Sequence, residues 1–515
     1  MKSTIGIPLV TLSILLLTVI GCGEEEVPTA LDASIREGRG TVTRGPQVGI
    51  NVVLSQAMTP DMRAQLEQYG RITGELPSIH AVFLAGPPHT VGQVARLPFV
   101  AAANPDAERN SGPIAPLPVS DFTDIGLNMW NLDVVDVTDC PPLVASGQAV
   151  FCSDFLDVAA GAPFPDPIPK RTVAATGDGV TVAILDSGLL QSWRHYLPTQ
   201  RIATQYAKSF GGGGAAGINT SEQPNKWERD ISGHGTHVTS TVVGFNFDGI
   251  PFNGVAPDAT IIPVKVLNQN GSGWSSVIAA GIDYISDLVE TGTLSTPVVI
   301  NMSLSGSSLD AVEKAAIDRA IGLGIVVVAS AGNRGEAGMG FPGGYTPVIS
   351  AGALGWVGEW LDNNNDGSVT NWWVWDDVVD PDDIEEYYVA DFSSRTVSAD
   401  QDLDVLTPGS WVLGPFQTQR GNTSYFFLGG TSQAAPHVTG LVALMLEGNP
   451  GLTSDDGVPG TDGEGPLETQ LQAASIPLPA GCRDVVPLPG LAAEEICWGN
   501  DATGAGVLTA GALNL

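Results

Sequence analysis

The chain has 515 residues, enough for more than one domain, and 43% hydrophobic against 15% charged residues, which fits a packed globular protein and excludes a disordered one. Its 56 acidic and 22 basic side chains give a formal charge of −34, which argues against nucleic acid as a partner. Such a charge keeps a secreted protein soluble by self-repulsion and suits bound cations.

The opening "MKSTIGIPLVTLSILLLTVIGCGEEE" sets Lys2 before an apolar core and then small residues. That is a secretory signal whose core is too short for a comfortable transmembrane helix. "VIGC", ending at Cys22, resembles a bacterial lipobox. Residues 1–22 are therefore read as a lipoprotein-type signal, with Cys22 lipidated and the membrane reached through that lipid. The plainer alternative is an ordinary signal with an incidental cysteine. Setting Cys22 aside leaves Cys140, Cys152, Cys482 and Cys497 as two locally spaced pairs. Three connectivities are open to four cysteines. Pairing neighbours needs the least rearrangement, and each closed loop is worth about 3 kcal/mol. Neither pair has zinc-ligand spacing, so the address is oxidising and extracytoplasmic, at the cell envelope or secreted.

A polar linker follows over 23–45. Residues 46–106 then read as a compact unit. Val48–Leu54 is strand-like; Thr59 caps a helix with Pro60 at its first position, and Met62, Leu66 and Tyr69 lie along one face. Residues 78–84 alternate like a strand, 90–97 form a second helix and 100–103 a last strand. The order β-α-β-β-α-β is that of a small ferredoxin-like α+β module, a pattern many small domains share.

Residues 107–175, rich in Pro, Asp and Ser, read as a linker and entry segment. From 176 short apolar runs alternate with helical stretches at 274–290 and 309–322. Strands buried on both faces and separated by helices indicate an α/β fold, a doubly wound, mainly parallel sheet with helices on both sides.

In such sheets working residues gather at the carboxyl ends of the strands. Asp186 ends the strand "VTVAILD", His234 opens "HGTHVTSTVVG", Asn333 ends "IVVVASAGN", and Ser432 starts the last helix after "GGT". Singly each has a bland reading: a turn aspartate, a structural histidine, a turn asparagine, a helix cap. Their joint occurrence in this order does not.

"VAILDSG", "GHGTHV" and "GTSQAAPHVTG", in the order Asp, His, Ser, resemble the subtilisin-like serine proteases. The resemblance covers 176–515, interrupted by an acidic insertion at about 361–390. It implies a monomeric endopeptidase acting on proteins or peptides, with no organic cofactor. In it Ser432 is the nucleophile, His234 the general base, Asp186 its orienting carboxylate and Asn333 an oxyanion donor. It further implies that Ser303, Leu304 and Ser305, with Ser330, Ala331 and Gly332, line the primary specificity pocket. Gly271, Ser272 and Gly273 would pair with extended substrate as an added strand. The 46–106 module then looks like the family's inhibitor propeptide, cut off between about 104 and 127. Two positions depart from the family: Gln433 replaces a methionine after the nucleophile, and Arg334 follows the asparagine where an acid is common. The insertion opens with Asp362, Asn364 and Asp366 at alternate positions and Gly367 at the turn, a start resembling a structural calcium loop. Trp373 stands where the closing glutamate belongs. The competing reading is a catalytically silent surface protein that uses the same fold for binding.

Replacing Cys22 by serine is expected to move the precursor from the membrane fraction to the soluble fraction, read by fractionation and immunoblot. Retention in the membrane would leave the cysteine incidental.

Overall fold

The computed structural model describes residues 46–515 except 113, 119–128, 140–142, 146–147, 151–169, 213–217, 222–225, 248–249, 296, 362–377, 379–380, 420–421, 458–462, 489–490 and 514. Cys22, the Cys140–Cys152 pair and the calcium candidates Asp362, Asn364 and Asp366 lie outside the described residues. No helix among the described residues is long and apolar enough to cross a membrane.

The N-terminal module comprises β1 (Val48–Leu54), α1 (Pro60–Leu66), β2 (Arg71–Leu76), β3 (Ala81–Gly86), α2 (Val91–Val94) and β4 (Val100–Pro105). Its antiparallel sheet has the order β2-β3-β1-β4. Thr59 accepts the Met62 N–H at 3.3 Å and Pro60 fills the first helical position, so α1 starts as its sequence dictates. Strand β3 begins three residues later than its alternation suggests, because residues 77–79 form a 3-10 turn and His80 adopts φ 51°. Every residue of β3 is buried. Val82 and Leu84 face the module's own core, with Ile50, Val52 and Leu66, whereas Ala81 and Phe83 join a core cluster of the following body. A strand with two covered faces loses its polar positions.

The body is built on β7 (Thr181–Asp186), β8 (Lys208–Gly212), β9 (Ile218–Ser221), β10 (Thr260–Lys265), β12 (Val298–Met302), β13 (Val326–Ser330), β14 (Ile349–Trp356), β15 (Tyr387–Val389) and β16 (Val405–Pro408). They run β9-β8-β10-β7-β12-β13-β14-β15, with β16 also on β14. All ladders are parallel except β8–β9 and β14–β15. Alternation along the central strands divides the core in two. Ala183, Leu185, Ile300 and Val327 meet Ile278, Ile282 and Ile317 of α4 (Ser275–Glu290) and α5 (Ala311–Gly322). Val182, Ile184, Val299 and Val328 meet Val238, Val242, Val438 and Leu441 of α3 (His234–Val243) and α6 (Thr431–Gly448). The expected doubly wound α/β fold is therefore what forms, and it sets the amino ends of these helices beside the carboxyl ends of the strands.

Module and body meet at two of those helix starts. Asp106 accepts the Ser276 N–H of α4 at 3.0 Å and its hydroxyl at 2.6 Å. Asn104 accepts the Ala311 N–H of α5 at 3.1 Å, and Asp310 accepts those of Val312 and Glu313 at 2.9 and 3.3 Å. Asn51 of β1 donates to both Asp106 and Asp310, at 3.1 and 2.8 Å. Helix starts carry unpaired N–H groups and a positive dipole end, and acids answer both. Near the C-terminus Cys482 and Cys497 stand opposite each other on paired strands and are disulfide-bonded, as neighbour pairing expects. The bond fits an extracytoplasmic address.

Two core histidines, His237 and His437, lie within α3 and α6. Burial holds His437 at about 4 and His237 at about 3, below their ordinary 6.5. The unfolded chain therefore binds protons that the folded protein refuses. That contribution to stability is complete above about pH 6.5 and is lost as pH falls through the window down to about 4 and then 3. For His437 the loss is on the order of 3 kcal/mol. A His437→Gln variant is expected to flatten the acid limb of melting temperature against pH between 6.5 and 4. Comparing it with wild type at each pH cancels the opposite titration of Glu359, pushed up to about 8 by burial.

Candidate active site

Asp186 is the last residue of β7 and His234 the first of α3. Their side chains are fully buried, and His234 Nδ1 lies 2.9 Å from each oxygen of Asp186. Asp186 Oδ1 also accepts the Ser187 N–H at 2.6 Å, which fixes the carboxylate at the strand end. With Nδ1–H donated to a carboxylate, Nε2 is the free, basic nitrogen. It is buried and has no hydrogen-bond partner among the described residues. Helix α6, which packs on α3, carries Ser432 in its first turn. The Ser432 hydroxyl donates to the Ser303 carbonyl at 3.2 Å, a resting bond from which rotation about χ1 frees it. Gly430, at φ 147°, admits a backbone turn closed to other residues.

Asn333 follows β13. Its Oδ1 accepts the Thr431 N–H at 2.9 Å and the Thr431 hydroxyl at 2.8 Å, which turns Nδ2 into the cleft. There Nδ2 donates to the Gly112 carbonyl at 3.4 Å. Of the candidate pocket residues, Ser303 donates to the Ser432 carbonyl at 2.8 Å, and Ser330 donates to that of Leu304 at 3.1 Å. Gly332, at φ 101°, gives its N–H to the Thr431 hydroxyl at 3.0 Å, while Leu304 and Ala331 are fully buried. Ser305, Asn333, Arg334, Ser432 and residues of the 104–112 segment line a cavity of about 770 Å³. Arg334 spends its guanidinium on the Gly338 and Met339 carbonyls.

The segment after the module runs through this cleft as a strand. β5 (Glu108–Asn110) pairs antiparallel with β11 (Ser272–Trp274), in the register Asn110–Ser272, Arg109–Gly273, Glu108–Trp274. Ser111 donates its N–H to the Gly271 carbonyl at 2.9 Å, and Asn110 and Ser305 exchange two bonds of 2.9 Å. Beyond Gly112, β6 (Ile114–Pro118) pairs with β18 (Asn422–Gly429), whose partner on the other side is β17 (Val412–Gln419). The edge Gly271–Gly273 thus takes an added strand, and that strand belongs to the same chain.

Asp230 escaped the sequence reading. It accepts the Ser187 hydroxyl at 2.9 Å and the Ser232 and Gly233 N–H groups at 2.9 and 2.7 Å, and Ser187 in turn accepts the Gly235 N–H at 2.9 Å. This ties the start of α3 to the end of β7. Burial pushes Asp230 up to about 6 against the pull of Lys265. An aspartate shortly before Gly-His-Gly offered only the generic signal of a turn.

A family model described as the subtilase family (peptidase S8) matches residues 177–473, more than half of the chain. The chain belongs to the subtilase family of serine proteases. Subtilisin DY of Bacillus licheniformis is 35% identical over 283 residues, 54% of this chain and 80% of that protein. The extracellular serine proteinase of Thermus sp. is 32% identical over 285 residues, 55% of this chain and 54% of that protein. Fervidolysin of Fervidobacterium pennivorans, described as a keratinolytic enzyme related to subtilisin, shares the fold at 20% identity and a TM-score of 0.54, across 93% of this chain and 62% of its own.

In this subtilase Gln433 is fully buried, and neither its Nε2 nor its Oε1 has a hydrogen-bond partner among the described residues. An unsatisfied buried amide costs roughly 1–3 kcal/mol. Gln433→Met keeps the volume and removes that cost. The variant is expected to melt higher than wild type and to lose active-site labelling after peroxide, to which wild type is indifferent at this position.

Proposed function

We propose that this subtilase is a serine endopeptidase made as a self-processing precursor, with residues 46–112 held as its own inhibitor. The observation that carries the reading is the Gly112 carbonyl at the Asn333 amide, on a strand hydrogen-bonded along both walls of the cleft. In the proposed reaction Ser432 Oγ attacks such a carbonyl while His234 Nε2 takes its proton. Asp186 holds the imidazole in the required tautomer and stabilises the imidazolium. Asn333 Nδ2 and the amino end of α6 meet the oxyanion, and loss of one such donor costs about 10²–10³ in turnover. His234 then protonates the leaving amine, and water resolves the acyl-enzyme by the same steps in reverse. Pro113 follows Gly112 and has no backbone N–H for the leaving side of the cleft to bind, which favours a slowly cut, inhibitory segment.

The remaining parts of the reading follow from sequence. Cys22 would hold the precursor to the membrane by a lipid, and a cut between about 104 and 127 would release the body. Asp362, Asn364 and Asp366 would contribute to a structural calcium site.

Labelling with a fluorophosphonate serine probe tests the central claim. A shortened wild-type species is expected to label, and Ser432→Ala is expected to stay full length and unlabelled. A folded wild type free of its N-terminal module that fails to label would overturn the protease reading and favour a binding protein.

A further inference from the structure

Arg109 and Glu313 form an ion pair with no exposed side-chain surface on either partner. Arg109 Nε lies 3.1 Å from both Glu313 oxygens, and Nη2 donates to Oε2. Nη2 also donates to the Ser308 carbonyl at 3.0 Å and Nη1 to the Glu108 carbonyl at 3.1 Å. Burial pulls the Arg109 guanidinium down, but Glu313 outweighs it and the pKa ends above its ordinary value.

Three observations separate this pair from a simple latch on the module. First, Arg109 stands three residues before Gly112, and its backbone is paired to Gly273 as part of the strand that fills the cleft. Second, Asp310-Ala-Val-Glu313 at the start of α5 has the spacing of a capping box, in which the glutamate would reach back to the cap residue's N–H. Both Glu313 oxygens are instead given to Arg109. Third, none of Arg109's side-chain partners belongs to the module's sheet. Glu313 and Ser308 are body residues, and the Glu108 carbonyl is backbone that any extended peptide supplies. Gly306 completes the pocket: a Cβ there would lie 2.4 Å from Arg109 Nη1. The receptor for the guanidinium therefore stays with the body when the segment leaves.

We propose, resting on the endopeptidase reading, that Glu313 is a specificity-determining residue and that this subtilase selects arginine at the fourth residue before the cut bond. An apolar side chain at that position buries the Glu313 carboxylate with no partner, the arrangement that is heavily penalised in protein interiors. Lysine brings the charge but not the fork that meets a carboxylate and a carbonyl together. The sequence Arg109-Asn-Ser-Gly112 is then the chain's own template for its substrates.

Internally quenched peptides of the form Glu-Xaa-Asn-Ser-Gly-Ala-Ile, with Arg, Lys, Leu or Ala at Xaa, test this on the processed wild-type enzyme. The Arg peptide is expected to exceed Leu and Ala by about 100-fold in kcat/KM, with Lys between. Glu313→Gln is expected to shrink the Arg-to-Leu ratio to below about 5-fold, while fluorophosphonate labelling of Ser432 is unchanged. The principal readout needs no variant, so a folding defect in Glu313→Gln leaves the test intact. Wild type that labels with the probe yet cuts the Arg and Leu peptides within about 3-fold of each other overturns this proposal and leaves the protease reading standing. Wild type that neither labels nor cuts any peptide overturns both.

Discussion

Four helices start along one edge of the sheet, and the identity of the groups that answer their first N–H groups organises the whole molecule. A buried helix start must find acceptors for its unpaired donors. At α3 the answer is local: Ser187 Oγ takes the Gly235 N–H, and Asp230 holds the turn before it. At α4 and α5 it is partly foreign to the body, because Asp106 and Asn104 arrive from the N-terminal module. At α6 the cap residue is Gly430, which has no side chain to give, and Asn333 takes the Thr431 N–H. The helix start that bears the nucleophile has no capping side chain of its own, so its field points at whatever lies in the cleft.

This division explains why the module docks where it does. Asn51, buried at the interface, reaches Asp106 and Asp310 together, so a single amide links β1, the outgoing chain and α5. The outgoing chain, fixed at 104–106, has only a few residues in which to reach the cleft. The register of Arg109 on Gly273 and of Gly112 on Asn333 follows from that anchor.

Much of this was legible beforehand, for reasons that particular residues make clear. The central strands β7, β10, β12, β13 and β14 are mostly apolar and buried on both faces, so few polar positions confuse their assignment, and Asp186, His234, Asn333 and Ser432 each lie at or close to the end or start of an element. The local pair Cys482 and Cys497 was equally accessible, since neighbours on a hairpin need no long-range information. Residues 108–112 read as part of a linker because a three-residue strand has no periodicity and its partners lie 160 or more positions away. Glu313 was hidden for a different reason. Three residues after a helix-capping aspartate it satisfies a local rule, and nothing in the sequence near it names the arginine 204 positions earlier that claims it instead.

The grip on the segment is also unevenly placed with respect to the reacting bond. At the position next to that bond the chain has glycine, which puts no side chain into the primary pocket. The strong contacts are remote: paired backbone along Gly271–Trp274 and Ser305, and the buried Arg109–Glu313 pair. Binding energy located away from the reacting atoms holds substrate and transition state alike, so it favours occupancy without hastening the cut. An inhibitory segment needs that distribution. On the proposed reading a good substrate would keep the remote arginine and add a side chain in the primary pocket. On the proposed reading the same cleft is blocked by its own chain and serves others, with the difference lying in one residue before the bond and one after it.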